Sequence, residues 1–423
     1  MFPFSVLVGK AVRRISRLRG GGSALPGLVV EKIDPGFMGR ALSGLPHGVV
    51  VISGTNGKTT TTKMVVELLQ GQGLTVFTNR TGSNFTRGVA AALLGEVNWR
   101  GRLKADIAVL ELDEAHAVHF VKLVPPTHCL LLNVLRDQLD RFGEIDQTTR
   151  LLEQIAAKTT GTVVLNREDP RVAGIASTVH DAEITYFGLD ASLRSTFPND
   201  DELRGDIGVA PPSSLPADVI LEHVDGNTAM FLTDGESTSV DLRLRGVYNI
   251  FNAAAALAMA RTVLGGAINR AALFASLATV EPAFGRGESL VVDGKPLELV
   301  LVKNPSGFRL GLKSFDAAGY ATMIAINDNY ADGRDMSWLW DVDFDSLGLA
   351  GVDMVSGVRA YDMALRLKYD DVDVRAVEPD TTAALKAFIS ATHDQPKRIF
   401  CTYTAMLAVR RDLSKITTVE VVS

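Results

Sequence analysis

The sequence predicts an α/β protein built on mostly parallel sheets, and three observations carry that expectation. Val49-Val50-Val51-Ile52-Ser53 reads as a short buried strand, followed by Gly54-Thr55-Asn56-Gly57 and a helix from Lys58 to about Gly71. Strand-like apolar runs then alternate with helical periodicity through the first half of the chain. A second alternating series begins near Leu290. Strands that alternate with helices build a parallel sheet covered on both faces. Ligands of such sheets gather at the carboxyl ends of the strands.

At 423 residues the chain is long enough for about two or three domains. A hydrophobic content of 46% with 22% charged residues suits a folded, soluble protein. The net charge of −6 argues against a nucleic-acid partner, which calls for a basic face. Cys129 and Cys401 both sit in apolar strand-like runs, as expected for buried reduced thiols in a cytoplasmic protein. No window approaches the ~18 apolar residues of a membrane span. The apolar run Phe2 to Val8 precedes its positive charges, the reverse of a secretory signal.

Taken in order, residues 4–19 mix apolar and basic residues at helical spacing. Phe4, Val8, Val12, Ile15 and Leu18 can share one face, with Lys10, Arg13, Arg14, Arg17 and Arg19 mostly elsewhere. Such a helix either packs on its own domain with a solvated charged face or touches an anionic membrane surface. After the glycine loop come strands at Leu74–Phe77, Asp106–Leu110, His128–Asn133, Thr162–Asn166 and Ile184–Phe187, with a helix from Arg87 to Leu94. Residues 190–245 change character. Pro211-Pro212 and several Gly-Asp or Asp-Gly turns separate short alternating strands, so a small β-rich insertion is expected. Helical periodicity returns at Asn249–Leu264 and near Asn269–Leu277, and Phe284 to Glu288 reads as a linker. The second series then places strands near 298–302, 321–326, 352–356, 372–376 and 397–402.

The glycine loop carries the first chemistry. Between a strand and a helix N-terminus, backbone N–H groups point at an anion and the helix dipole adds to the attraction. In such loops Lys reaches the outer phosphates and the Thr hydroxyl holds Mg²⁺. Here those residues are Lys58 and Thr59, with Gly54, Thr55, Asn56, Gly57 and Thr60 around the nucleotide. Glu111, at a strand end facing the loop, offers the hard oxygen that Mg²⁺ requires. Asp113 and Glu114 either assist it or simply complement the helix dipole. His116 and His119 lie three apart, but no third His or Cys follows at a metal-binding spacing. Asn249 and Asn252 open a helix with alanines behind them; Asn either bonds a base or phosphate or caps the helix.

The motifs G-T-N-G-K-T-T-T, E-L-D-E, L-N-V-x-x-D-x-L-D-R, G-x-Y-N-x-x-N-A-A-A-A and F-G-R-G-E follow in the order seen in the Mur ligase superfamily. Three further stretches narrow the match: residues 78–84, Lys303-Asn304-Pro305-Ser306-Gly307, and the run from Asn327 to Asp341. Together they resemble the MurT family, the synthetase subunits of lipid II isoglutaminyl synthases. The resemblance implies an N-terminal segment over 1–46 and a Mur ligase-like P-loop ATPase domain over 47–288 with its small insertion. A smaller Rossmann-like α/β domain over 289–423 follows.

It also implies a function in peptidoglycan biosynthesis: amidation of the D-glutamate α-carboxylate of lipid II to D-isoglutamine. ATP would make an acyl phosphate, and ammonia from a separate GatD-type glutaminase would displace phosphate. ATP and Mg²⁺ are the implied cofactors, with Asn252 and Arg286 joining the loop around the nucleotide and Thr59 and Glu111 on the metal. The implied setting is the cytoplasm or the inner face of the membrane that carries lipid II.

Departures from the amino-acid-adding Mur ligases are informative. Where those enzymes have His in D-H-x-D-R, this chain has Gln138. Residues 139–157 contain no Lys to carbamylate for a second Mg²⁺, and Glu153 could substitute electrostatically. Many MurT proteins carry a four-cysteine zinc ribbon in the insertion. Residues 190–245 contain no Cys, so no structural zinc is expected.

No Cys/His pair credible for glutamine hydrolysis is present, so those groups are expected from the partner. In MurT the first Asp of D-x-S-W-x-W-D orients the partner's His, which corresponds to Asp335; Asp341 or a neighbour is the alternative, or a purely structural role. A carboxylate on imidazole fixes the tautomer and stabilises the imidazolium. The rival functions are a stand-alone Mur or folylpolyglutamate-type amino-acid ligase and a non-catalytic nucleotide-binding scaffold.

Overall fold

The computed structural model describes residues 2–18, 25–79, 85–136, 145–197, 199, 202, 215–244, 246–281, 286–314 and 319–419. Three helices lead in: α1 (Phe2–Leu18), α2 (Leu25–Ile33) and α3 (Phe37–Leu42). A first α/β series follows, with β1 (Val49–Ser53), α4 (Lys58–Gly71), β2 (Val76–Thr78), α5 (Thr86–Glu96), β3 (Ile107–Glu111), α6 (Glu114–Leu123) and β4 (His128–Leu131). It continues with β5 (Thr162–Asn166), β6 (Glu183–Leu189), β7 (Val219–Asp225), β8 (Thr228–Thr233) and β9 (Glu236–Asp241).

These strands form one nine-stranded sheet in the order β2-β3-β1-β4-β5-β6-β7-β8-β9. It is parallel from β2 to β7 and antiparallel from β7 to β9. The β-rich stretch is thus stitched onto the parallel sheet through β7. On β1, Val50 and Ile52 face one core while Val49 and Val51 face the other. That alternation follows from the two-residue period of a strand. Each of the four contributes roughly 1.5–3 kcal/mol by burial.

The first core lies against α4 and the helices Val247–Leu264 and Arg270–Thr279. Residues 253–260 of the former are wholly buried, and six of those eight are alanine. Small side chains without rotamer freedom let this helix pack closely beside α4. The second core is closed by α1, α2, α3, α5, α6 and the helix Ile145–Ala156.

A second sheet takes the order β10-β11-β15-β12-β13-β14, where β10 is Arg286–Val292, β11 Lys295–Leu301, β12 Ala321–Ala325, β13 Met354–Ser356, β14 Val377–Glu378 and β15 Lys397–Cys401. Only β10 runs antiparallel to its neighbour. Two local expectations differ from the structure. Strand begins at Arg286, inside the stretch read as a linker, because β10 pairs with β11 from Arg286, with a shift of register between Arg286 and Glu288. The strand expected at 372–376 shrinks to a bridge between Val352 and Val374 followed by β14. No helix among the described residues is long and apolar enough to cross a membrane.

Candidate active site

β1 ends at Ser53, whose hydroxyl donates to the Leu112 carbonyl at 2.9 Å and ties the loop to the end of β3. The chain then turns through Gly54 (φ 131°) and Gly57 (φ 87°) before α4 begins at Lys58. A side chain at Gly57 would be doubly penalised. Its φ lies in the left-handed region, and a Cβ would sit 2.7 Å from the Asn252 amide oxygen. Glycine therefore lets the Val247–Leu264 helix close over the loop, which is how Asn252 reaches it across almost 200 residues of sequence. Asn133, just past β4, clamps the loop from the other side. Its amide accepts the Asn56 N–H at 2.8 Å and donates to the Asn56 carbonyl at 3.0 Å.

Lys58 is buried. Its ammonium donates to the carbonyls of Gly54 and Thr55 and pairs with Glu114 Oε1 at 3.3 Å. Burial pushes the Glu114 carboxyl above its usual range, against the opposing pull of Lys58. Thr59 donates its hydroxyl to Glu111 Oε1 at 2.8 Å. Asn79 holds Glu111 in turn, accepting its N–H at 3.0 Å and donating to its carbonyl at 2.7 Å.

A hydroxyl and a carboxylate oxygen this close are placed to share one hard cation, the remaining positions falling to phosphate and water. The donor set, all oxygen, fits Mg²⁺. The histidines do not compete: His116 stacks edge-on against Phe85, His119 stands 3.5 Å from Glu31, and no His/Cys/Asp/Glu group of three could hold a metal among the described residues.

The second sheet reaches the same loop. Lys303 donates to the Thr55 carbonyl at 3.1 Å, and Asn304 exchanges amide hydrogen bonds with Asn56 at 3.3 and 3.2 Å. Asn304 also accepts the Gly307 N–H at 2.7 Å, within the first turn of the helix Pro305–Ser314. Lys303 and Asn304 were legible only as part of a motif; their contact with the loop spans 248 positions of sequence.

Between the loop, the start of the Val247–Leu264 helix and the second sheet lies a cavity of about 200 Å³. Three buried polar atoms on its wall, Thr60 Oγ1, Asn199 Nδ2 and Tyr248 Oη, have no hydrogen-bond partner among the described residues. An orphaned polar group costs ~1–3 kcal/mol, which a polar ligand in the cavity would recover. Asp169 lies on the same wall. Its carboxylate accepts N–H groups from Val134 at 2.7 Å, Arg171 at 3.0 Å and Val172 at 3.1 Å, yet burial pushes its pKa up to about 6. Nothing in the sequence singled it out.

Asp335 is not on that wall. It stands on the long connection after β12, partly exposed, and accepts the Ser337 N–H at 2.9 Å; the Ser337 bonds hold its carboxyl below the usual range. The connection is anchored by buried Asp332, which accepts from Thr404 at 2.7 Å, and by Asn327, which donates to Thr404 at 3.0 Å. Of the two tryptophans, Trp338 is buried against Phe308, while Trp340 is 49% exposed and stacks edge-on against Tyr369. Asp341 is exposed.

Arg286 opens β10 opposite Val300. Glu153 lies in the helix Ile145–Ala156 and does not line the cavity. Gln138 and residues 80–84 lie outside the described residues.

The Mur ligase middle domain family matches residues 52–260, and the MurT ligase C-terminal family matches residues 301–406. The chain is 29% identical to the lipid II isoglutaminyl synthase (glutamine-hydrolyzing) subunit MurT of Streptococcus pneumoniae (strain ATCC BAA-255 / R6), over 97% of this chain and 96% of that protein. It is 28% identical to the subunit of the same name from Staphylococcus aureus (strain COL), over 88% of each.

Among solved structures, a pseudomurein peptide ligase type C from Methanothermus fervidus is similar in fold. Its TM-score is 0.68 at 20% identity, over 88% of this chain and 79% of that one. MurF ligase from Thermotoga maritima in complex with ADP gives 0.68 at 18% identity, over 90% and 84%. The chain belongs to the Mur ligase family and carries the MurT type of C-terminal domain.

Proposed function

We propose that this chain is the ATP-using synthetase subunit of a lipid II isoglutaminyl synthase. It amidates the D-glutamate α-carboxylate of the lipid II stem peptide to D-isoglutamine, with ammonia from a glutaminase subunit of the GatD type. The observation that carries this conclusion is the meeting of Lys58, Thr59, Glu111 and Lys303 at one loop, in a chain whose two cysteines are both inert. Burial drives the Cys129 thiol up to about 12 and Cys401 higher still. A thiol so protonated is no nucleophile. Glutamine hydrolysis therefore falls to another polypeptide, in keeping with the similarity to subunits named as glutamine-hydrolysing.

The N–H groups at the start of α4 bind the phosphates, and Lys58 turns from the Gly54 and Thr55 carbonyls to the outer phosphate. Lys303 adds a second positive charge from the opposite sheet. Thr59 and Glu111 would hold Mg²⁺, which when bound neutralises charge on the transferring phosphoryl group. Asn252 and Arg286 complete the nucleotide site. The substrate carboxylate attacks the γ-phosphorus, forming an acyl phosphate as the bond to ADP breaks. Ammonia then attacks the acyl carbon, phosphate leaves and a proton is lost, giving the amide. Most of this is positioning and electrostatics, the terms that dominate phosphoryl transfer.

Asp335 serves the other half-reaction. A partly exposed carboxylate, held ionised by Ser337, is suited to orient an imidazole presented by the partner. The domain boundaries at residues 46 and 288 belong to the same proposal.

Ammonium as the only nitrogen source tests the whole. With lipid II, ATP and Mg²⁺, the chain alone releases phosphate and amidates on ammonium, and on glutamine only after the glutaminase is added. Turnover that requires an amino acid instead of ammonium would establish the stand-alone ligase. No turnover on either would establish a binding scaffold.

A further inference from the structure

Helix α1 carries two faces, and the fold uses only one of them. Its inner face is committed. Val6 is fully buried, Ser5 donates to Asp34 at 2.7 Å, and Gly9 lies so close to Val30 and Leu94 that a Cβ there would stand 2.5 Å from the nearer side chain. The outer face repeats apolar residues at intervals of three and four. Phe4 is 64% exposed, Leu7 50% and Ile15 51%, with exposed Ala11 between them.

Basic and aromatic groups flank that stripe. Arg14 is exposed beside it. Lys10 donates to the Val97 carbonyl at 2.6 Å and stands 5.1 Å from the centre of the Trp99 ring, itself 65% exposed. Arg100, Arg102 and Lys104 follow Trp99 on the same connection, all exposed. Residues 1–30 hold five basic side chains and no acidic one, within a chain of net charge −6.

We propose that α1 docks this protein flat on an anionic phospholipid surface, with Phe4, Leu7 and Ile15 in the acyl boundary and Arg14, the 100–104 cations and Trp99 at the headgroups. An apolar stripe edged by arginine, lysine and tryptophan is the composition of an interfacial helix. The concentration of positive charge in an acidic chain selects an anionic lipid over a second copy of the chain. A lipid-linked substrate would reside at that surface, but the placement rests on the helix alone.

The full-length chain is sedimented, without substrate or nucleotide, with phosphatidylcholine vesicles that contain or lack phosphatidylglycerol. Binding is expected only to the anionic vesicles. The triple variant Phe4→Ser/Leu7→Ser/Ile15→Ser lowers partition at least about tenfold, and Arg14→Ala about fivefold, as added salt also does. These are exposed positions, so ammonium-dependent ligation on a water-soluble substrate analogue and the unfolding midpoint stay unchanged.

If the triple variant fails to fold, Arg14→Ala and the salt series still decide. No wild-type binding, equal binding to neutral vesicles, or binding that the variants do not weaken overturns the proposal. So does sedimentation as a dimer that the triple variant dissociates. Vesicle binding without ligation would instead count against the proposed reaction alone.

Discussion

The loops after β1 and after β12 occupy equivalent places, each at the carboxyl end of a strand inside a mostly parallel sheet. The first is four residues long, and its polar groups turn inward. Lys58, Asn133 and Asn304 each hydrogen-bond to its backbone or side chains. The second is long and turns outward. Asp332 and Asn327 pin its base to Thr404, while Tyr330 is 84% exposed and Trp340 stands half out of the surface. One architecture thus yields an enclosed polar loop and an open, aromatic face. What separates them is where the next helix begins. Where a helix starts immediately, its N-terminal N–H groups define the ligand; where it does not, the chain is free to form a surface for another protein.

Substitutions should separate the two loops cleanly. The largest effect is expected at Asp335→Asn, with loss of glutamine-dependent amidation by about 10⁴-fold and ammonium-dependent amidation intact. Equal loss with both nitrogen donors would place Asp335 in the ATP half-reaction and erase the distinction. Lys58→Ala should lower ATP turnover about 10³-fold with either donor. It also strands buried Glu114, so adding Glu114→Gln should recover stability but not turnover. Recovery of both would make Lys58 structural.

Asp169, on the wall of the inward site, makes that region pH-sensitive. Its folded pKa of about 6 lies above the unfolded value near 3.8, so its stabilising contribution is full below that value and lost as pH rises through about 6. Relative to Asp169→Asn, the wild type should lose about 2 kcal/mol between about pH 4 and about pH 8 in urea unfolding. A flat difference would remove Asp169 as the source. The smallest effect belongs to the seam between the sheets. Asn304→Ala should raise the KM for ATP about fivefold, and a double-mutant cycle with Asn56→Ala should show a coupling of about 1 kcal/mol. Additive effects would mean that the amide pair seen here does not act as a unit.

Much of the fold was readable because its signals are local. The strand Thr162–Asn166 and the helix from Lys58 to Gly71 stand at their expected bounds, since burial period and a glycine turn act within a few residues. The strand at 372–376 was misplaced because its pairing is interrupted: Val374 bridges Val352, and regular pairing resumes at the same offset only where Val377 meets Val355. Trp338 and Trp340, two positions apart, looked alike in sequence. Packing against Phe308 buries one, and a surface stack on Tyr369 leaves the other half exposed.

The sequence by itself determined the glycine loop between strand and helix, the pairing of Thr59 with a strand-end carboxylate, and the family. Each depends on dihedral freedom, helix polarity or spacing confined to a short stretch. Only the tertiary structure brought Lys303 and Asn304 to the loop, set Asn79 against Glu111 and Asn133 against Asn56, and sealed Asp169 and both cysteines from water. Those contacts depend on the order of strands in the sheets and on the closure of one sheet against the other. No local pattern encodes that order, because it is settled by which buried faces fit together once the whole chain has folded.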